Sequence, residues 1–180
     1  MAKKGFTIIE LIVVLLIVGI MAIVAISQMP DMNTMRINQT AYKIQSDIRY
    51  AQRLAMQLQR RTAILFSVAN NDYSIYIENI YGTNNWNSGV KAKNPLDQQD
   101  FNAQLDSEEL KGIVISEAVF NANDYALVFD RNGVPYAMQF TSPATIGILI
   151  STGRVVLNTN KKYILVKPTT GSVNVQDVYP

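Results

Sequence analysis

The chemistry open to this chain is bounded first by what its 180 residues lack, namely any Cys or His. Without Cys there is no thiolate nucleophile, disulfide framework or thiolate metal site. Without His, the commonest general base and transition-metal ligand is gone. Ser and Lys are present, but in no motif that supports nucleophilic catalysis, and no Gly-rich phosphate loop occurs. Asp97, Asp100, Asp106 and Glu108 crowd one stretch and suggest a calcium set. Their spacing does not match a calcium-binding loop, so a solvated loop is expected. These residues predict no enzyme, no cofactor and no metal.

One titratable residue stands in an unusual place. From Phe6 to Ile26, 18 of 21 residues are apolar, and the exceptions are Thr7, Glu10 and Gly19. An ionised carboxylate in such a run costs on the order of several kcal/mol unless it has a partner, and the run contains no cation. A partner arises if the chain is cut between Gly5 and Phe6. The new α-amine then lies four residues before Glu10, one helical turn away. It can pair with its own Glu10 or with that of a neighbouring chain. The first helical turn also favours a negative charge through the helix dipole.

The element that must carry Glu10 is a helix. About 21 residues at 1.5 Å each span roughly 30 Å, enough to cross a bilayer core. In lipid the backbone must satisfy itself internally, which favours helix despite the β-branched residues. Lys3 and Lys4 before the run predict a cytoplasmic N-terminus and a single span, with the remainder of the chain outside the cytoplasm. A plain anchor and a secretory signal with a small-residue site at Ala25, Ile26 and Ser27 are competing readings. Neither gives Glu10 a role, and an apolar region this long exceeds the usual signal.

The residues Lys3-Lys4-Gly5-Phe6-Thr7-Ile8-Ile9-Glu10-Leu11-Ile12-Val13-Val14 resemble the prepilin leader and N-methylation motif of type IV pilins and type II secretion pseudopilins. The resemblance implies cleavage after Gly5 by a membrane prepilin peptidase, followed by N-methylation of Phe6. It implies that Glu10 pairs with a neighbouring subunit's N-terminus during filament assembly. Other pilins or pseudopilins and an inner-membrane assembly platform are then the expected partners, with membrane lipid before assembly. The expected location is the bacterial inner membrane, with a periplasmic or extracellular head, and then a pilus or pseudopilus.

Beyond the apolar run, Ile37, Ala41, Ile44, Ile48, Ala51, Ala55 and Leu58 recur at spacings of three and four. This predicts an amphipathic helix whose apolar stripe packs on the chain's own β-domain. Arg49, Arg53 and Arg60 fall on the other side and are expected to be a solvated face or a contact with the next subunit. Pro30 lacks an N–H and is expected to kink or break the helix. A continuous helix from Phe6 to Leu58 would measure about 80 Å.

From Arg61 the periodicity shortens. Strands are expected at 64–68, 73–77, 112–116, 126–129, 134–140, 145–150, 155–157, 163–166 and 172–175. Asp130-Arg131-Asn132-Gly133 is a strong hairpin turn. Residues 81–110 read as a long, polar, irregular insertion, either functional or mobile. Within it, Trp86 and Tyr81 anchor the loop in the core or form an exposed recognition patch, the former being favoured. The expected organisation is a leader at 1–5, an apolar helix at 6–29, an amphipathic helix at 30–60 and a β-rich head at 61–180. The predicted class is α+β, a long N-terminal helix packed on an antiparallel β-sheet head.

The segments Leu127–Pro135 and Tyr163–Val175 are similar, more loosely, to the C-terminal region of the pseudopilin H and fimbrial T family. That family consists of minor subunits in which a long helix packs on two sheets. Some of its members bind DNA through a basic C-terminal motif, but the tail from Val175 to Pro180 lacks one and Gly153-Arg154 stands alone. Removing Lys3 and Lys4 leaves 14 basic and 14 acidic residues, without the basic footprint of a nucleic-acid binder. Lys161, Lys162 and Lys167 read as a hairpin turn and a strand end. Nucleic acid is not expected as a partner. The predicted function is a minor pilin or pseudopilin of a type IV pilus, type II secretion or competence machine. The alternative is a membrane-anchored or tip-located binding module for DNA or surfaces.

Overall fold

The computed structural model describes residues 7–27, 32–79, 86, 90–105, 107, 110, 112–121, 126–139, 145–149, 151–159 and 161–177. The chain divides into two units, residues 1–35 and 36–180. Among the described residues two helices, α1 (Ile8–Ser27) and α2 (Met32–Leu58), precede eleven strands. Pro30 lies outside the described residues.

The second unit is α+β. Strands β1 (Thr62–Ser67), β2 (Asp72–Ile77), β3 (Val90–Lys91), β4 (Asn102–Gln104), β6 (Ala126–Phe129), β7 (Pro135–Gln139) and β8 (Thr145–Ile148) form the larger sheet. Its order is β3-β2-β1-β6-β7-β8, and β4 also pairs with β2. Strands β5 (Ile115–Val119), β9 (Gly153–Leu157), β10 (Lys162–Val166) and β11 (Val173–Asp177) form the smaller sheet, in the order β11-β10-β9-β5. Every pairing is antiparallel.

Helix α2 buries one stripe. Ile37, Ala41, Ile44, Ile48, Ala51 and Ala55 join the inner faces of both sheets, including Ile64, Phe66, Tyr73, Leu127, Phe129, Val155 and Ile164, in one core. Alanines at three positions of the stripe let the helix backbone approach the strands closely. The buried Thr62 hydroxyl donates to the Ala51 carbonyl at 2.8 Å. The buried stripe ends at Ala55, one stripe position short of what the periodicity predicts, since Leu58 is 43% exposed. Gln59 there adopts φ 54° and the Arg60 N–H turns back to the Ala55 carbonyl.

The hairpin turn at Asp130–Gly133 forms as expected. Asp130 Oδ1 accepts from the N–H groups of Asn132 and Val134, both at 2.8 Å, and Gly133 supplies φ 79°. Other boundaries move. The strand expected at 112–116 runs at Ile115–Val119, because Gly112 at φ 89° is still in a turn and Asn71 holds the segment at both ends. Its amide donates to the Ile113 carbonyl, and its carbonyl accepts from the Ile115 N–H.

Part of the stretch read as irregular is also sheet. Val90–Lys91 and Asn102–Gln104 extend the edge beyond β2, and Ala92, Phe101 and Leu105 are buried in the core. Those apolar residues are spaced too widely for a strand period to show through the intervening Gln, Asn and Asp.

Candidate functional site

The first unit presents its chemistry at the start of α1. Thr7 sits just before the helix, where its carbonyl accepts from the Leu11 N–H at 3.2 Å and its hydroxyl oxygen accepts from the Glu10 N–H at 3.3 Å. Thr7 is therefore the N-cap, and Glu10 is the third helical residue, the acidic position of a capping box. Sequence reasoning missed the role of Thr7. The T-x-x-E spacing ahead of an apolar run was the available signal. Glu10 lies in the first turn of α1. Gly5 and Phe6 lie outside the described residues, so of the three assembly residues expected, Glu10 alone has a described position.

Helix α1 is 20 residues of almost unbroken Ile, Val, Leu, Met and Ala, and no residue of Ile8–Ala25 is buried in the isolated chain. A helix apolar on every side needs lipid or other helices around it. By length and composition it can cross a membrane.

A family model described as the prokaryotic N-terminal methylation motif matches residues 1–26. The chain carries an N-terminal methylation motif. That motif indicates a type IV pilin-like or pseudopilin precursor, suggests a structural subunit rather than an enzyme, and is compatible with membrane anchoring. It is equally compatible with processing by a prepilin peptidase and assembly with other pilins. No curated protein matches the chain. No solved structure matches it either.

In the second unit of this methylation-motif protein, the polar residues singled out in the sequence are mostly engaged in holding the head together. Arg49 and Gln45 both donate to the Val173 carbonyl, at 3.0 and 2.8 Å, and Gln52 donates to the carbonyls of Gly133 and Thr170. With Ser46, Arg53, Gly171 and Ser172 they line a groove of about 420 Å³ along the seam between α2 and the β10–β11 turn. Arg53 and Arg60 are exposed.

Asp47 accepts from the Tyr73 hydroxyl at 2.6 Å and from Lys43 at 2.7 Å. Burial, and then the Asp47 carboxylate, push the Tyr73 hydroxyl well above the ordinary phenol range. Burial also raises the Tyr50 hydroxyl, which donates to the Lys93 carbonyl.

The acidic residues considered for calcium do not gather into a described site. Asp100 forms an ion pair with Lys93 at 2.7 Å, which lowers its carboxyl below the ordinary range. Asp97 caps the Gln99 N–H, and Asp106 and Glu108 lie outside the described residues. Among the described residues no acidic cluster could hold a metal.

Trp86 is buried on the outer face of the larger sheet with Ala63, Ala126, Val128 and Met138, as an anchor would be. Tyr81 lies outside the described residues. Arg154 donates to Glu117 at 2.7 Å, which raises the guanidinium's pKa. Lys162 is buried in β10 and paired with Asp177 across the β10–β11 ladder.

Proposed function

We propose that the chain is a minor pilin or pseudopilin, made as a precursor, cut after Gly5, N-methylated at Phe6 and polymerised through its N-terminal helix. The observation that carries this reading is the methylation motif over residues 1–26, set on an exposed apolar helix with a single acid in its first turn. The unprocessed helix waits in the inner membrane with its head outside the cytoplasm. An assembly platform draws it out of lipid into a bundle of like helices, where apolar contacts replace lipid contacts.

In that bundle the Glu10 carboxylate pairs with the terminal amine of a neighbour. A charge left without a partner in an apolar bundle is disfavoured by several kcal/mol, roughly. The pairing therefore selects one axial register among many that greasy surfaces alone would allow. Residues 1–5 form the leader, 6–29 the membrane and filament-core helix, 30–60 the amphipathic helix, and 61–180 the head. The machine served is a type IV pilus, a type II secretion pseudopilus or a competence pseudopilus.

The exposed Arg49 and Arg53, which line one groove, favour a second reading, an anchored module that binds DNA or a surface. The balanced charge of the processed chain favours the scaffold. Salt-sensitive retention of DNA by the detergent-solubilised chain would support the second reading. For the first, co-expression with a prepilin peptidase should shorten the chain by its leader. A bulky substitution at Gly5 should block that change while leaving membrane insertion intact. A chain that keeps its length beside an active peptidase would overturn the proposal.

A further inference from the structure

The chain between β3 and β4 folds back on itself in a tightly bonded turn. The Asn94 N–H donates to the Gln99 carbonyl and the Gln98 N–H to the Asn94 carbonyl, both at 2.9 Å. Side-chain oxygens of Asn94 and Asp97 cap the N–H groups of Leu96 and Gln99, each at 3.0 Å. The Lys93–Asp100 bridge closes the base, and the Tyr50 hydroxyl ties the Lys93 carbonyl to α2. At the tip of this fixed turn Leu96 is 93% exposed, with the exposed Asp97 beside it. A single exposed leucine is ordinary. One presented by a turn with so many internal bonds loses little conformational freedom if it docks.

A complementary feature lies elsewhere on the same unit. Leu58, Ile77 and Val90 line a depression of about 310 Å³ bordered by Arg60 and Asn79. Leu58 is 43% and Val90 58% exposed, so its wall is apolar and open. The buried Glu78 carboxylate at its base has Arg61 at 3.9 Å. Asp97 and Arg60 take part in no ion pair among the described residues.

The knob cannot fill the depression of its own chain. Val90 pairs with Ile77 and Lys91 with Tyr76, and the Ala92 N–H bonds the Ile75 carbonyl. By Lys93 the chain has moved about 10 Å along β2, away from the depression.

We propose that the Leu96 turn of one copy docks in the Leu58–Ile77–Val90 depression of a second copy, with Asp97 against Arg60. The inference rests on the filament reading, with the chain present in enough copies for two of them to be neighbours. The two patches differ, so the contact is head-to-tail, and such contacts propagate into rings or helical filaments instead of closing as dimers. The head thus supplies a polymer contact of its own, beyond the bundle of N-terminal helices. Leucine gives it its apolar anchor, and the carboxylate–guanidinium pair at the rim gives it direction.

The absence of native Cys makes the test direct. Full-length chains carrying Leu96→Cys or Val90→Cys are expressed with the processing and assembly machinery, and membranes and filaments are treated with a mild thiol oxidant. Both positions are on the surface, so folding is preserved. Disulfide formation requires Cα atoms within about 7 Å. Co-expressed single variants should give a mixed dimer, each alone should give none, and the double variant should give a ladder of multimers. Asp97→Arg or Arg60→Asp should lower the mixed product at least threefold, and the two together should restore it.

Dimers from Leu96→Cys alone, which would mean a symmetric contact, would overturn the proposal. So would absence of the mixed product, or charge reversals that do not rescue each other. A parallel variant, Leu16→Cys, reports contact between N-terminal helices. A bond there without a head bond overturns the docking and leaves the filament reading standing, while no bond at either place counts against both.

Discussion

Replacing Tyr73 by Phe removes one oxygen from the seam between α2 and the larger sheet. The Tyr73 side chain is buried and its hydroxyl donates to Asp47 at 2.6 Å, while Lys43 reaches the same carboxylate at 2.7 Å. A hydrogen bond to a charged group contributes about 1.5–3 kcal/mol. Asp47 keeps its Lys43 partner in the variant and its side chain retains 17% exposure, so water can partly replace the lost donor. The expected cost is therefore near the low end, about 1.5–2 kcal/mol. For a head of this size that lowers Tm by roughly 3–8 °C.

The pH dependence adds an independent check. Tyrosine in the unfolded chain ionises near pH 10, about the ordinary value, whereas burial and Asp47 raise the folded hydroxyl well above it. The folded state then holds a proton that the unfolded state releases. This contribution is complete below about pH 10 and is lost as the pH rises beyond it. The advantage of wild type over Tyr73→Phe should therefore narrow in alkali. Thermal unfolding of the detergent-solubilised chain, followed by near-ultraviolet circular dichroism from neutral to alkaline pH, measures both effects. Equal stability at neutral pH, or a gap that does not shrink in alkali, would refute the reasoning.

Gly171→Ala should destabilise the head by at least about 2 kcal/mol, since an L-residue is strained at positive φ. Gly171 has φ 65°, and a Cβ would lie 2.7 Å from Gln52 Nε2 and 2.9 Å from Phe129 Cε1. A melting curve unchanged from wild type would exclude that close approach. Ile48→Ala removes a fully buried side chain from the α2 stripe and should cost about 2–5 kcal/mol, read as a lower denaturant midpoint. Glu10→Ala should leave membrane insertion intact and reduce incorporation into filaments beside wild-type copies. Normal incorporation of this variant would show that the acid does not set register.

The legible parts of this molecule are those with strong periodicity or strong turn chemistry. The α2 stripe reads from its spacing because its residues meet one continuous core, and Asp130–Gly133 reads because Asp and Gly there leave few backbone alternatives. The strand at Ile115–Val119 was displaced by three residues, because Asn71, over forty positions earlier, fixes where pairing begins. Edge strands β3 and β4 were missed because each is two or three residues long, too short for alternation to register. Thr7 is legible in the T-x-x-E spacing, but Glu10 carries two roles at once, a local capping position and a charge in an apolar run, and the second masks the first. The exposed Leu96 and the depression around Leu58 depend on how distant segments meet, which no local pattern encodes.

Mass spectrometry of the mature N-terminus, on chain purified from a cell that contains a prepilin peptidase, tests the central claim most directly. The account predicts a chain that begins at N-methyl-Phe6 and retains all of α1. A chain beginning at Gln28, or one still carrying residues 1–5 inside assembled filaments, would contradict it.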